Sequence, residues 1–276
     1  MKSRLAVWTG AALAVLGAWS PIAMAAAQQA SMELTGNIKV GADGKALDYS
    51  IDHQSQVQPA VLKLVAATIA QWRFAPRVAQ APMSLRIVAN EREDGQFDMK
   101  VGAVSFGGKE RLHGLAYKDK SRRVTYPDDL LHARVGGQVL VLVEVGRQGE
   151  VLHADAERID LSRSATRMQM HRWRQSLARA SVDAIRNWTF VVPTQGEAAL
   201  APHWYAVIPL QFAINRPDGM PTVGGYAQWH IYYPGDKVVP DWYRSMPGQV
   251  IPDVVTAGTL ASLQPALQLL TSPQGS

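Results

Sequence analysis

Val139-Leu140-Val141-Leu142-Val143-Glu144-Val145-Gly146-Arg147-Gln148-Gly149-Glu150-Val151-Leu152 is the stretch whose reading decides the fold. Val139 to Val145 is apolar on nearly both faces, which predicts a strand covered on both sides. Gly146-x-x-Gly149 supplies positions where positive φ is cheap, so a hairpin is expected, with Glu150 to Glu157 as the partner strand. The pattern also stands 105 positions earlier, in Val40-Gly41-Ala42-Asp43-Gly44-Lys45-Ala46-Leu47. Both read V-G-x-x-G-charged-x-L, and each has an acid five residues on, Asp52 and Glu157. A second motif keeps the order: Ile69-x-x-Trp72-x-Phe74 matches Ile185-x-x-Trp188-x-Phe190, 116 positions later, with Pro76 and Pro193 just beyond. Two motifs in one order point to an internal repeat. The difference in offset places about 11 extra residues in the second copy, near Ser162 to His171.

Each copy reads as strand, strand, helix, strand. In the first, Leu34, Gly36, Ile38 and Val40 alternate as in a strand, and Lys45 to Asp52 is its hairpin partner. Pro59 suits a helix first turn, and Val61, Leu62, Leu64, Val65, Ile69 and Trp72 recur at helical spacing through Gln71. Ser84 to Ala89 is a third strand, and Glu93-Asp94-Gly95 turns into a fourth, near Gln96 to Ser105. In the second copy a helix is expected over Met168 to Asn187, with Trp173, Leu177, Ala180, Val182, Ala184, Ile185 and Trp188 as candidate buried positions. A closing strand runs from His203 to Ile214, and Pro209 within it belongs on an edge or at a bulge because it donates nothing to a ladder. The expected fold class is α+β: two units, each a small antiparallel sheet packed against one helix.

The flanks read differently. Lys2 and Arg4 precede an uncharged stretch, Leu5 to Ala27, broken by Ser20-Pro21 and ending in small residues at Ala23-Met24-Ala25 and Ala25-Ala26-Ala27. This predicts a signal peptide over residues 1–27 and export. The alternative is an uncleaved anchor, since 23 uncharged residues reach the length of a bilayer span. Gly107 to Thr125 holds six Lys or Arg against two acids and reads as a basic linker, here bounded as 107–123. Residues 215–276 contain eight of the sixteen prolines, yet Tyr226, Trp229, Tyr232, Tyr233, Trp242 and Tyr243 cluster there. So aromatic a tail is expected to pack through its first half, with its last ten or so residues loose.

The second copy carries a resemblance. Tyr126-Pro127, Gly137-x-Val139, the alternating Val141, Val143 and Val145, Gly149, Trp188-x-Phe190 and the closing Ile208-Pro209-Leu210-Gln211-Phe212 together resemble the TonB C-terminal domain, over about residues 124–214. The first copy, residues 32–106 as a unit, resembles it more faintly and lacks the Tyr-Pro. The resemblance implies a periplasmic protein that pairs by strand addition with an extended segment of an outer-membrane receptor, and so helps transmit energy for uptake. This chain departs from the family in having no proline-rich spacer between residue 28 and the first copy. The expected function is therefore a non-enzymatic periplasmic protein that binds extended segments of envelope proteins. The alternative is a membrane-anchored energy transducer of short reach, with membrane contact only through an uncleaved N-terminal segment.

The candidate partner-binding residues are those of the closing strand: Trp204, Tyr205, Val207, Pro209 and Gln211. An open apolar edge is seldom left uncovered. The expected covers are a partner, a second copy of the chain, or the tail's Tyr226 to Tyr233. The candidate basic surface for an anionic partner is Arg163, Arg167, Arg172, Arg174 and Arg179, against a plainer reading as a solvated helix face. Chemistry is sparse. With no cysteine, thiolate catalysis is excluded. No His-x-x-x-His or His-x-His occurs among seven histidines, so no metal or other cofactor is expected, and His132, His153 and His171 read as surface or partly buried polar residues. The Gly102 to Lys109 segment has the wrong register for a phosphate loop, and no G-x-S-x-G occurs. Asp128-Asp129 reads as a turn or helix start. Formal charge is +5, of which Lys2 and Arg4 carry two, too mild to argue for nucleic acid. Trp72 and Trp188 are read as core plugs.

Overall fold

The computed structural model describes residues 28–76, 78–91, 97–107, 115–195, 197–214, 226–244, 261–262 and 267–275. Residues 1–27, read above as a signal peptide, lie outside the described residues. The first unit holds β1 (Gln29–Val40), β2 (Ala46–Ile51), α1 (Pro59–Gln71), β3 (Ala79–Glu91) and β4 (Phe97–Phe106). The second holds β5 (Ala116–Asp119), α2 (Asp128–Ala133), β6 (Gly137–Val145), β7 (Val151–Leu161), α3 (Arg167–Ile185), β8 (Thr189–Val191) and β9 (Trp204–Phe212). The tail adds β10 (His230–Tyr232), α4 (Asp241–Arg244) and β11 (Ala261–Ser262). The fold is α+β, with antiparallel sheets and few helices, as the periodicity predicts.

The helices form where apolar spacing and end signals agree. Pro59 opens α1, and Val61, Val65, Thr68 and Ile69 lie buried along one face. Thr166 caps α3, its hydroxyl accepting from Gln169 N at 3.3 Å, and Met170, Trp173, Leu177, Ser181, Ala184 and Ile185 are buried. One sheet runs β10-β1-β3-β4, with β2 also on β1. The other runs β11-β9-β6-β7. Central β6 is covered on both faces. Val139, Val141, Val143 and Val145 join the core under α3, while Leu140 and Leu142 pack with Val207 and Tyr243 on the opposite face.

The repeated motifs meet in space. Gly44 and Gly149 close their hairpins at φ 74° and 85° and donate to Gly41 O and Gly146 O, both at 3.0 Å. Gly44 O then accepts from Phe74 N at 2.8 Å, and Gly149 O accepts from Phe190 N at 2.8 Å. A Cβ would stand 2.3 Å from Phe74 O at Gly44 and 2.0 Å from Phe190 O at Gly149, so only glycine lets the chains approach this closely. Trp72 and Trp188 end their helices, their amides donating to Ile69 O at 3.1 Å and Ile185 O at 2.9 Å. Both indoles are buried. Turn and Trp-x-Phe are thus two halves of one hydrogen-bonded corner, and it occurs twice.

The structure corrects several expectations. The extra residues are not confined to Ser162 to His171: β7 is five residues longer than β2, and α3 is six longer than α1. β3 is 13 residues rather than six, because β1 and β4 flank it with ladders. The basic linker is no linker in its described part. Leu115 is buried in the second core, β5 pairs with β8, and Lys120 Nζ lies 3.4 Å from the centre of the Tyr117 ring. Desolvation lowers the pKa of that ammonium and raises that of the Tyr117 hydroxyl. The last residues are not loose either. Leu267 sits in the first core, Leu269 bridges Phe74, and Pro273 O accepts from Trp72 Nε1 at 3.2 Å. An apolar pair and one carbonyl hold this end down, where composition alone suggested solvent.

Candidate interaction surface

The closing strand is β9, and its inner side pairs with β6 along its whole length, from Gly137 opposite Phe212 to Val145 opposite Trp204. Its outer side is not a bare edge. Among the described residues only β11 lies there, with Ala261 opposite Val207 and Ser262 opposite Ala206. The tail segment expected to cover it goes elsewhere: His230, Ile231 and Tyr232 pair with Ser31, Ala30 and Gln29 of β1. The candidate side chains turn inward. Trp204 packs against the second core and Val207 is buried against Leu140, Leu142 and Tyr243. Gln211 Nε2 donates to Gly137 O at 3.0 Å, and Pro209 stands opposite Leu140. The side chains of this strand are thus taken up by the protein's own packing.

Tyr205 belongs to a polar cluster that the sequence reading did not assemble. Glu144 is buried on the β6 face away from α3. Its Oε2 lies 2.7 Å from His153 Nδ1, and its Oε1 lies 3.3 Å from His203 Nδ1 and accepts from the Tyr205 hydroxyl at 3.0 Å. Desolvation first, and then the bond to Glu144, raise the Tyr205 pKa, so this hydroxyl stays a donor. Trp242 of α4 stacks on His153 at 5.3 Å and on Tyr205 at 6.4 Å, and its indole N–H donates to Asp155 Oδ2 at 2.7 Å. A carboxylate that orients an imidazole can serve proton transfer. Here the indole stacks on both His153 and Tyr205, and the arrangement anchors α4 to the sheet. The only sequence signal was the acid in an otherwise apolar strand.

The arginines divide. Arg172 and Arg179 lie on the exposed face of α3, in line with Arg186 at seven-residue spacing. Arg167 is exposed at the helix start, with no acid in the first turn, the reverse of what the helix dipole favours. Arg163 Nη1 reaches Ala133 O at 3.1 Å. Arg174 is not part of that surface. It is half-buried, and it donates to Ile159 O at 3.1 Å, Tyr233 O at 3.2 Å and Pro234 O at 2.9 Å, and desolvation lowers its pKa. It clamps a strap over β7. Leu161 and Tyr233 exchange backbone bonds of 3.0 and 2.8 Å, and Val238 N donates to Glu157 O at 2.8 Å.

The same strap joins the units. Beside β10, Arg86 donates to Gln138 Oε1 at 3.1 Å and pairs with Glu33 and Asp160, each at 3.7 Å. Asp160 Oδ1 accepts from Gly235 N at 3.2 Å. Burial raises the Glu33 pKa, against the opposing pull of Arg86. Compared with protein-family models, with curated proteins and with solved structures, the chain matches none.

Proposed function

We propose that the chain is a non-enzymatic, TonB-like protein of the periplasm that binds extended segments of envelope proteins, such as outer-membrane receptors, by strand addition at β9. The observation that carries the reading is the outer side of β9, where nine residues of strand meet two residues of β11 among those described. Such a side presents backbone donors and acceptors in register for a further strand. The chain already completes its sheets this way with its own segments, at β1 and at β7. The exposed arginines of α3 supply positive charge for an acidic segment on the same unit. The resemblance of residues 124–214 to the TonB C-terminal domain supports the class of partner.

The second reading, an anchored transducer of short reach, is favoured by the 23 uncharged residues from Leu5 to Ala27. No helix among the described residues is long and apolar enough to cross a membrane. Mass spectrometry of the envelope-purified chain separates the two readings by showing whether Leu5–Ala27 is retained. For the binding itself, a photocrosslinking amino acid is placed at Ala213, an exposed position just past β9. The expected product joins Ala213 to a short extended segment of an envelope protein. Crosslinks confined to this chain would remove the strand-addition reading.

A further inference from the structure

The slot beside Trp72 is where the structure goes further. Phe74 bridges Leu269, Ala75 N donates to Gln268 O at 3.0 Å, and Leu270 N donates to Arg73 O at 2.7 Å. Leu267 is 3% exposed, and the Trp72 indole donates to Pro273 O at 3.2 Å. The second unit has the same slot, filled from the front of its own sequence. Tyr117 pairs with Phe190, Leu115 is 3% exposed, and the Trp188 indole donates to Arg122 O at 2.7 Å. Leu267 and Leu269 thus stand where Leu115 and Tyr117 stand. Each Trp-x-Phe corner takes an extended segment beside its Phe and a carbonyl on its indole. In the first unit that segment is the end of the described chain.

We propose that residues 267–275 are a latch that keeps β11 on the outer side of β9, so that one C-terminal arm gates the strand-addition site. The proposal rests on the reading of β9 as the binding edge. Five Cα steps separate Ser262 from Leu267, so at most about 18 Å of chain joins the two dockings. The described ladder, two residues long, is too short to persist alone. Tethered to a docked neighbour, it sits at high effective concentration beside Ala206 and Val207. A partner strand entering along β9 displaces β11 against the latch. An extended segment that takes the Trp72 slot frees β11 and opens the edge.

Hydrogen exchange at the Val207 amide, which faces β11 while the Ala206 amide faces β6, tests this in the full chain without any partner. Arg73→Cys with Leu270→Cys places two thiols at exposed, facing positions in a chain with no other cysteine. Oxidation of that pair is expected to slow exchange at the Val207 amide roughly tenfold relative to the reduced form, and ending the chain at Ser262 to speed it by a similar factor. Exchange indifferent to both changes overturns the latch. If the shortened chain does not fold, the disulfide pair alone decides, and equal exchange in its two redox forms overturns it. A failed Ala213 crosslink beside a positive exchange result would remove the binding reading and leave the latch standing.

Discussion

Beside Phe74 the pairing segment comes from the end of the chain, 195 residues away at Leu269; beside Phe190 it comes from Tyr117, 73 residues upstream. The corners themselves are alike, down to the glycine carbonyl that receives the phenylalanine amide at 2.8 Å in each. The difference shows what the architecture requires: an extended segment beside the Trp-x-Phe, from either direction along the chain. Closing the longer loop costs only about 1 kcal/mol more by chain entropy. The larger consequence is one of order. The second unit's partner segment precedes it, whereas the first unit waits for residues 267–275 before its corner is complete. In a chain that emerges from its N-terminus, the first unit is finished last.

The sharpest way to break the comparison is to empty both corners. Trp72 and Trp188 are 0% and 5% exposed, and each meets a neighbouring ring edge-on, Phe74 or Phe106 in the first unit and Tyr117 in the second. Trp188→Ala and Trp72→Ala should each cost roughly 3–5 kcal/mol, read from chemical denaturation midpoints. A variant whose midpoint matches the parent would show that its corner is not a core, and the likeness would fail there.

A smaller effect is expected at the turns. Gly44→Ala and Gly149→Ala each force a Cβ against a phenylalanine carbonyl at positive φ. Each should cost about 1–3 kcal/mol, the range for a strained backbone position. Gly149→Ala should cost more, since its Cβ falls 2.0 Å from the carbonyl oxygen rather than 2.3 Å. The reverse order, measured by the same denaturation, would mean that the first corner is the more rigid one.

These corners were legible in the sequence because turn, helix and Trp-x-Phe are local signals. Glycines mark the hairpins, and the spacing of Val61, Val65 and Ile69 marks a helix that ends at Gln71, as read. The closing pieces were not legible. β10, β11 and the bridge at Leu269 are three residues, two residues and one residue long, too short to carry a period. Their partners lie far along the chain, and no local pattern names them. Arg174 failed for a related reason. On α3 it reads like its neighbours Arg172 and Arg179, but the carbonyls of Ile159, Tyr233 and Pro234 converge on it alone. Edge character was half legible: Pro209 placed β9 near an edge, but not the direction from which β11 would come.

The smallest expected effect sharpens the comparison at the seam between the units. His230 on β10 lies 2.9 Å from the buried Ser31 hydroxyl, with Arg86, Asp160, Glu33 and Tyr232 about the same seam. Burial lowers its pKa and Arg86 lowers it further, while a backbone bond at Gln228 and the charge of Asp160 pull the other way. The folded chain therefore binds this proton less readily than the unfolded chain. The stability that β10 draws from a neutral His230 is present above the ordinary value of 6.5 and is lost as pH falls below it, through the lowered folded value. Exchange of the Gln29 and Ser31 amides, which face β10, should quicken relative to the intrinsic rate at each pH between about pH 7.5 and pH 5.5 in the parent. His230→Gln keeps a polar group toward Ser31 but does not titrate, so the step should disappear. The corner amides of Phe74 and Phe190 should show no such step in either protein, because neither corner contacts the imidazole. A step that survives His230→Gln would move the titrating group to Glu33, and β10 would then be held by that carboxyl and its arginine rather than by its own histidine.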